Sequence, residues 1–187
     1  SVCRLVPNKR VDLLVRAFNR LKLPLIVVGD GVEKEYLREL AGPTVQIIGF
    51  QSKEKIESLM SRCRAFVYAG IEDFGIAPVE AMASGAPVIA FGKGGVLDTV
   101  KCFHSDSDKG ATGLLFPSQT VKSLVEAIEF FKQKQLWRDL KPELIRDWSN
   151  SFSQESFKDK FAKTLNRAWR EHVNSCDIAT SDLTSSS

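Results

Sequence analysis

Short apolar runs alternate with helical stripes along the first 116 residues. Leu25-Ile26-Val27-Val28, Val45-Gln46-Ile47-Ile48, Ala65-Phe66-Val67-Tyr68, Val88-Ile89-Ala90 and Gly113-Leu114-Leu115-Phe116 have the length and content of strands. Between them, Leu13, Leu14, Ala17, Phe18 and Leu21 recur at helical spacing, Glu33 to Leu40 predicts a second helix, and Ser52 is a fitting N-cap for a third through Ile56, Leu59 and Met60. The unbroken apolar character of Leu25 to Val28 predicts a strand buried on both faces. Ser1 to Pro7 reads as the end of a strand entering a loop, which suggests a chain whose upstream part lies elsewhere. The alternation, with short glycine-bearing connections, predicts a parallel sheet with helices on both faces: an α/β, Rossmann-like, three-layer α/β/α domain.

Past the last strand, helices are predicted from Val121 to Phe131, around Trp137, and from an N-cap at Ser153 onward. The last carries a stripe of Phe157, Phe161, Leu165, Ala168 and Trp169, to be covered either by this domain or by a partner domain. From residue 173 the chain is small and polar and is expected to be a disordered tail, so the predicted domain is 1–172.

One stretch interrupts the strand-and-helix grammar in a way that carries chemistry: Gly70-Ile71-Glu72-Asp73-Phe74-Gly75-Ile76-Ala77-Pro78-Val79-Glu80. On a continuous helix, eight steps of about 100° would leave Glu72 and Glu80 roughly 80° and about 12 Å apart, sharing no site. Gly75 suits a tight turn, and Pro78 is tolerated in a first helical turn but not further in. Glu72 is therefore predicted on a loop. The helix is predicted to begin near Pro78, with Glu80 in its first turn, and to stop at Gly85 ahead of Pro87. Ligands of open α/β sheets lie beyond the carboxyl ends of strands such as Ala65 to Tyr68. Two carboxylates beside unpaired helix-terminal N–H groups suit a ligand with both hydroxyls and phosphates, and nucleotide sugars have both.

Two further loops open on the same rim. Arg4 and Lys9 bracket the first strand-to-helix connection, where cations meet phosphate. Phe91-Gly92-Lys93-Gly94-Gly95 is glycine-rich enough for close approach, but is neither a G-x-G-x-x-G fingerprint nor a Walker loop. Asp73-Phe74-Gly75 spells a kinase tripeptide without the other kinase signatures. His104 and Asp106-Ser107-Asp108 read as parts of an exposed polar loop.

Charge and size narrow the classes. The 187 residues, 43% hydrophobic, allow one sizeable core. Lysine and arginine (26) nearly balance aspartate and glutamate (23), which argues against nucleic-acid binding. The small basic surplus falls in residues 132–172; it would suit peripheral contact with an anionic membrane surface, although a solvated helix face accounts for it more simply. Cys3, Cys63, Cys102 and Cys176 form no C-x-x-C pair, and with only His104 and His172 there is no metal-ligand spacing, so reduced thiols in the cytoplasm are expected. No apolar run reaches the roughly 20 residues of a membrane span.

Taken together, Arg4-Leu-Val-Pro-Asn-Lys9, Val28-Gly-Asp-Gly31, Glu72 through Ala90, Gly94-Gly95 and Thr112-Gly113 closely resemble the C-terminal, donor-binding domain of family-4, GT-B-fold retaining glycosyltransferases (glycosyl transferases group 1), across residues 1–172. The resemblance implies that Arg4 and Lys9 bind the donor diphosphate, that Glu72 bonds the transferred sugar, and that these three are the catalytic residues. It further implies that N–H groups near Phe74, Gly75 and Ile76 hold sugar or phosphate oxygens, and that Glu80 bonds the ribose. It implies no metal or other cofactor, the nucleotide sugar being a substrate, and an N-terminal acceptor domain that these 187 residues lack. The wording around Phe74 looks most like mannosyltransferases using GDP-mannose, acting on a saccharide or lipid-linked acceptor in polysaccharide biosynthesis at the cytoplasmic membrane face. The alternative is a non-catalytic nucleotide-sugar-binding module. Cys3 departs from the usual Gly or Ser, Arg10 from a frequent Gly, and Asp98 from a frequent Glu.

Overall fold

The computed structural model describes residues 1–104 and 110–184, with side chains through residue 173; Asp106-Ser107-Asp108 lies outside the described residues. The chain divides into two units, Ser1–Ser149 and Asn150–Ser187.

The first unit follows the predicted alternation. Ser1 to Leu5 runs beside the strand β1 (Leu25–Val27), with Val2 bridged to Val28 and the Leu5 N–H donating to the Asp30 carbonyl at 2.9 Å. A 3-10 helix, Pro7–Lys9, then leads into α1 (Val11–Leu21). After β1 come α2 (Lys34–Leu40), β2 (Val45–Ile47), α3 (Lys53–Arg62), β3 (Phe66–Tyr68), α4 (Ile76–Ala83), β4 (Val88–Phe91), α5 (Val96–Thr99), β5 (Gly113–Phe116), α6 (Val121–Gln133), α7 (Leu136–Asp139) and α8 (Pro142–Ser149). Every strand pairing is parallel: β1 with β2, and β4 between β3 and β5 with Tyr68 beside Ala90 and Phe91 beside Phe116. Helix contacts fall into two groups, α1 with α2 and α6, and α4 with α3 and α8, as layers on either side of a sheet require.

The four residues of β4 are all buried, and Val27, Ile89, Phe116 and Leu124 anchor the core. β1 differs from expectation. Leu25 and Val27 are buried, but Ile26 is 37% exposed, in register with the exposed Gln46 of β2. β1 and β2 pair as a two-stranded sheet apart from the three-stranded β3-β4-β5; helices α1 and α2 cover one face of it, and the other face is left to solvent. An apolar run alone does not reveal on which side the covering layer stops.

Three local features bear on the site. Ser52 caps α3 through the Lys55 N–H at 3.3 Å, as the sequence predicts. Arg10, at a position where the resembled family often has glycine, adopts the left-handed conformation (φ 51°, ψ 41°) that glycine tolerates best. Such a residue costs on the order of 1 kcal/mol, and the Arg10 guanidinium reaches Asp12 at 3.1 Å. Helix α8, not predicted, packs on the C-terminal end of α4, where Arg146 donates to the Ser84 carbonyl at 3.4 Å, and it reaches the end of α5, where the Trp148 indole N–H donates to the Thr99 carbonyl at 2.7 Å.

In the second unit, a 3-10 turn (Asn150–Phe152) precedes α9 (Gln154–Thr184), whose Ser156 N–H is capped by the Ser153 hydroxyl at 3.2 Å. The helix continues past residue 173, into the segment expected to be a tail; Ser, Thr and Asp favour caps and turns, but no Gly or Pro interrupts the run. Phe157, Phe161, Leu165 and Trp169 of its stripe are all more than half exposed. Among the described residues no helix is long and apolar enough to cross a membrane.

Candidate functional site

Glu72 and Glu80 are separated by an abrupt change of direction. Gly75 has φ 84°, a left-handed value that its missing Cβ permits, and α4 starts at the next residue. The helix therefore begins two residues earlier than predicted. Pro78 is its third residue, where the N–H that proline lacks would have had no helical partner anyway. Glu80 is consequently its fifth residue, in the second turn and not the first. Four helical steps put Glu80 within about 40° of Ile76 and about 6 Å along the axis. Both are exposed, while Pro78, Ala81 and Met82 face the core. The Gly75 and Ile76 N–H groups donate to no acceptor among the described residues, which leaves them available at the positive end of α4.

Glu72 lies on the loop between β3 and α4 and is held from three directions. Its backbone bridges Gly94, and its carbonyl accepts from the Gly95 N–H at 2.7 Å. Lys9 Nζ, from a loop 63 residues upstream, donates to Glu72 Oε1. The hydroxyl of Tyr68, at the end of β3, donates to the same oxygen at 2.6 Å. The closeness of the first and third loops is visible in the backbone too, since a Cβ on Gly70 would lie 3.1 Å from Lys9 Cα. Both charged side chains are partly buried, Lys9 at 16% and Glu72 at 29% exposure, so their pairing is screened less than a surface pair.

Among the described residues, Arg4 and Glu80 make no hydrogen bond or ion pair with Lys9 or Glu72. Arg4 is exposed and, among the described residues, holds no carboxylate. Phe74, half exposed, lies between the pair and the α4 N-terminus. Asp98 and His104 are exposed, as expected for His104. Tyr68 was missed at the sequence level because a core position at the end of a strand gives no sign that its hydroxyl turns toward a loop acid four residues later. Gln119 was missed as well; its side-chain amide donates to the Ala69 carbonyl at 2.8 Å and braces the same loop from beyond β5.

Burial pushes the Tyr68 phenol up to about 12, which keeps it a donor throughout the physiological range. Burial likewise raises the Cys3 thiol to about 11, so the thiol near the first loop is an inert neighbour and not a nucleophile. Among the described residues, no group of three or more His, Cys, Asp or Glu gathers as a metal site would require. A separate depression of about 500 Å³, lined by Leu97, Cys102, His104, Leu115 and others, includes none of Arg4, Lys9, Glu72 or Glu80 and is lined mostly by apolar groups.

The family model described as "Glycosyl transferases group 1" matches residues 1–151. A GDP-mannose-dependent alpha-mannosyltransferase of Corynebacterium glutamicum is 32% identical over 127 residues, covering 67% of this chain and 29% of that protein. The alpha-1,3/1,6-mannosyltransferase ALG2 of Candida glabrata is 28% identical over 155 residues, covering 78% of this chain and 33% of its own. Among solved structures, Anabaena Alr3699/HepE in complex with UDP and glucose superposes with a TM-score of 0.71 at 25% identity, over 88% of this chain and 47% of that one. The match thus spans about a third of these curated relatives and about half of that structure.

Proposed function

The chain belongs to the glycosyl transferases group 1, and from that premise we propose that it is the donor-binding part of a retaining transferase that moves a hexose, mannose in particular, from a nucleoside diphosphate to a saccharide or lipid-linked acceptor. The observation that carries the proposal is the meeting of one cation, one carboxylate and free helix-terminal amides on a single rim: Lys9, Glu72, and the N–H groups of Gly75 and Ile76. The choice of GDP-mannose is supported by the names of the mannosyltransferase relatives. Acceptor binding is assigned to a further domain outside these 187 residues, in keeping with the third of its relatives' length that the match spans.

In this reading Lys9 and Arg4 meet the diphosphate. Breaking the bond between the sugar C1 and the β-phosphate oxygen leaves a nucleoside diphosphate and an oxocarbenium-like sugar. The departing negative charge is stabilised where it develops by the two cations and by the Gly75 and Ile76 amides. No step in this scheme calls on a metal ion. Glu72 accepts from a hydroxyl of the transferred sugar, and Glu80, on the solvent side of α4, accepts from the ribose hydroxyls.

Isothermal titration with GDP, UDP, GDP-mannose and UDP-glucose tests the proposal. GDP-mannose is expected to bind tightest, and no transfer is expected without an acceptor domain. Glu80→Ala is expected to weaken every ribonucleotide by about 1.5 kcal/mol, roughly tenfold, the scale of one hydrogen bond to a charged group. Equal affinities in wild type and Glu80→Ala would remove the ribose role. Absence of nucleotide binding in the wild type would remove the proposal.

A further inference from the structure

Both donors to Glu72 use the same oxygen, and this asymmetry is informative. Lys9 Nζ and the Tyr68 hydroxyl both reach Oε1. Oε2 has no donor among the described residues and is not among the buried unsatisfied atoms, so it is open to solvent. A carboxylate can accept about four hydrogen bonds; here the protein occupies one oxygen and leaves the other to a ligand.

The two donors are not equivalent. Lys9 is a flexible cation that an incoming diphosphate would attract away from Glu72. Tyr68 cannot follow it. The residue is 2% exposed, at the end of a strand in register with Ala90, and its ring stacks on Phe66 at a centroid distance of 6.5 Å and an interplanar angle of 14°. The loop folds down directly over the hydroxyl, since a Cβ on Gly70 would lie 2.9 Å from it. At 2.6 Å the bond to Glu72 has the length of a charge-assisted O–H···O contact.

We propose that Tyr68 is a positioning residue: its hydroxyl holds Glu72 by Oε1 when Lys9 turns to the diphosphate, keeping Oε2 aimed at the hydroxyl of the transferred sugar. This rests on the reading of Glu72 as the sugar-binding carboxylate. Tyr68 touches no substrate itself, so its effect belongs to the part of the affinity that the sugar contributes and not to the nucleotide.

The experiment compares Tyr68→Phe, Glu72→Gln and the double variant with wild type, titrating GDP against GDP-mannose and UDP against UDP-glucose, with thermal melts alongside. The ratio of sugar-nucleotide to nucleotide affinity is the readout. Phenylalanine keeps the ring and its stack on Phe66, so the fold is retained. Tyr68→Phe is expected to leave GDP and UDP within about twofold of wild type and to lower the ratio about 5- to 10-fold, the scale of one such hydrogen bond. Glu72→Gln is expected to lower the same ratio, with Tyr68→Phe adding nothing on top of it. A drop with Glu72→Gln alone overturns the role of Tyr68 and leaves that of Glu72 standing. No drop in either variant overturns the Glu72 reading and this proposal with it. An equal loss for nucleotide and sugar nucleotide in Tyr68→Phe, accompanied by a lower melting temperature, marks a merely structural tyrosine and also overturns the proposal.

Discussion

Lys9→Ala is expected to weaken GDP and UDP binding about 30- to 100-fold, measured by isothermal titration at low salt. The size follows from where the ammonium sits. Lys9 closes the 3-10 turn begun by Pro7, its N–H donates to the Val6 carbonyl at 3.0 Å, and its side chain is 84% covered. A charge-assisted contact from a partly buried cation to phosphate is on the scale of 2–3 kcal/mol. Arg4→Ala is expected to lose less, and most of that loss should vanish at high salt, because Arg4 is exposed and screened. Lys9 already has a partner, however. In the proposed reading the diphosphate has to compete with Glu72 for it, so Glu72→Gln is expected to tighten binding of the bare nucleotide about threefold while weakening the sugar's share. If Lys9→Ala binds GDP as wild type does, the ammonium serves only to neutralise Glu72.

That competition could not have been read from the chain alone, and the reason is topological. Positions 9 and 72 meet because the loop leaving Ser1 to Leu5 and the loop leaving β3 approach each other at Gly70, and strand order in space is not written in hydrophobic periodicity. What periodicity does write came through: the apolar runs became β1 to β5 within a residue or two. Gly75 and Pro78, the signals for a turn between Glu72 and Glu80, mark one at a left-handed glycine. Pro78 alone does not fix the start of α4, because the N–H groups of the whole first turn lack helical partners and a proline is tolerated at any of those positions. Helix α8 was missed for a different reason. Pro142 is the signal that was available, but Lys141, Glu143, Arg146 and Asp147 dilute a stripe that amounts to Ile145, Trp148 and Ser149.

Gly95→Ala is expected to lower stability by about 2–3 kcal/mol, a fall of about 5–10 °C in melting temperature, and to abolish most sugar-nucleotide binding. Its backbone, at φ −60°, would accept alanine without strain, so the effect is steric alone. A Cβ there would lie 2.5 Å from Phe74 Cα and 2.6 Å from the Phe74 carbonyl oxygen, and closer still to that of Asp73. All three are main-chain atoms, and none can rotate out of the way. The loop from Glu72 to Phe74 would have to lift, breaking the Gly94 bridge and the 2.7 Å hydrogen bond from the Gly95 N–H to the Glu72 carbonyl. Because the Glu72 carboxylate and the Gly75 and Ile76 amides ride on that same loop, one displacement would spoil the proposed sugar contact and the proposed phosphate cradle together. Gly110→Ala is the matching control, since a Cβ there meets nothing within 4 Å. Equal melts and equal GDP-mannose affinities for the two variants would mean that the loop is held by its flanking strand and helix, and that the double glycine owes its place to something other than this close approach.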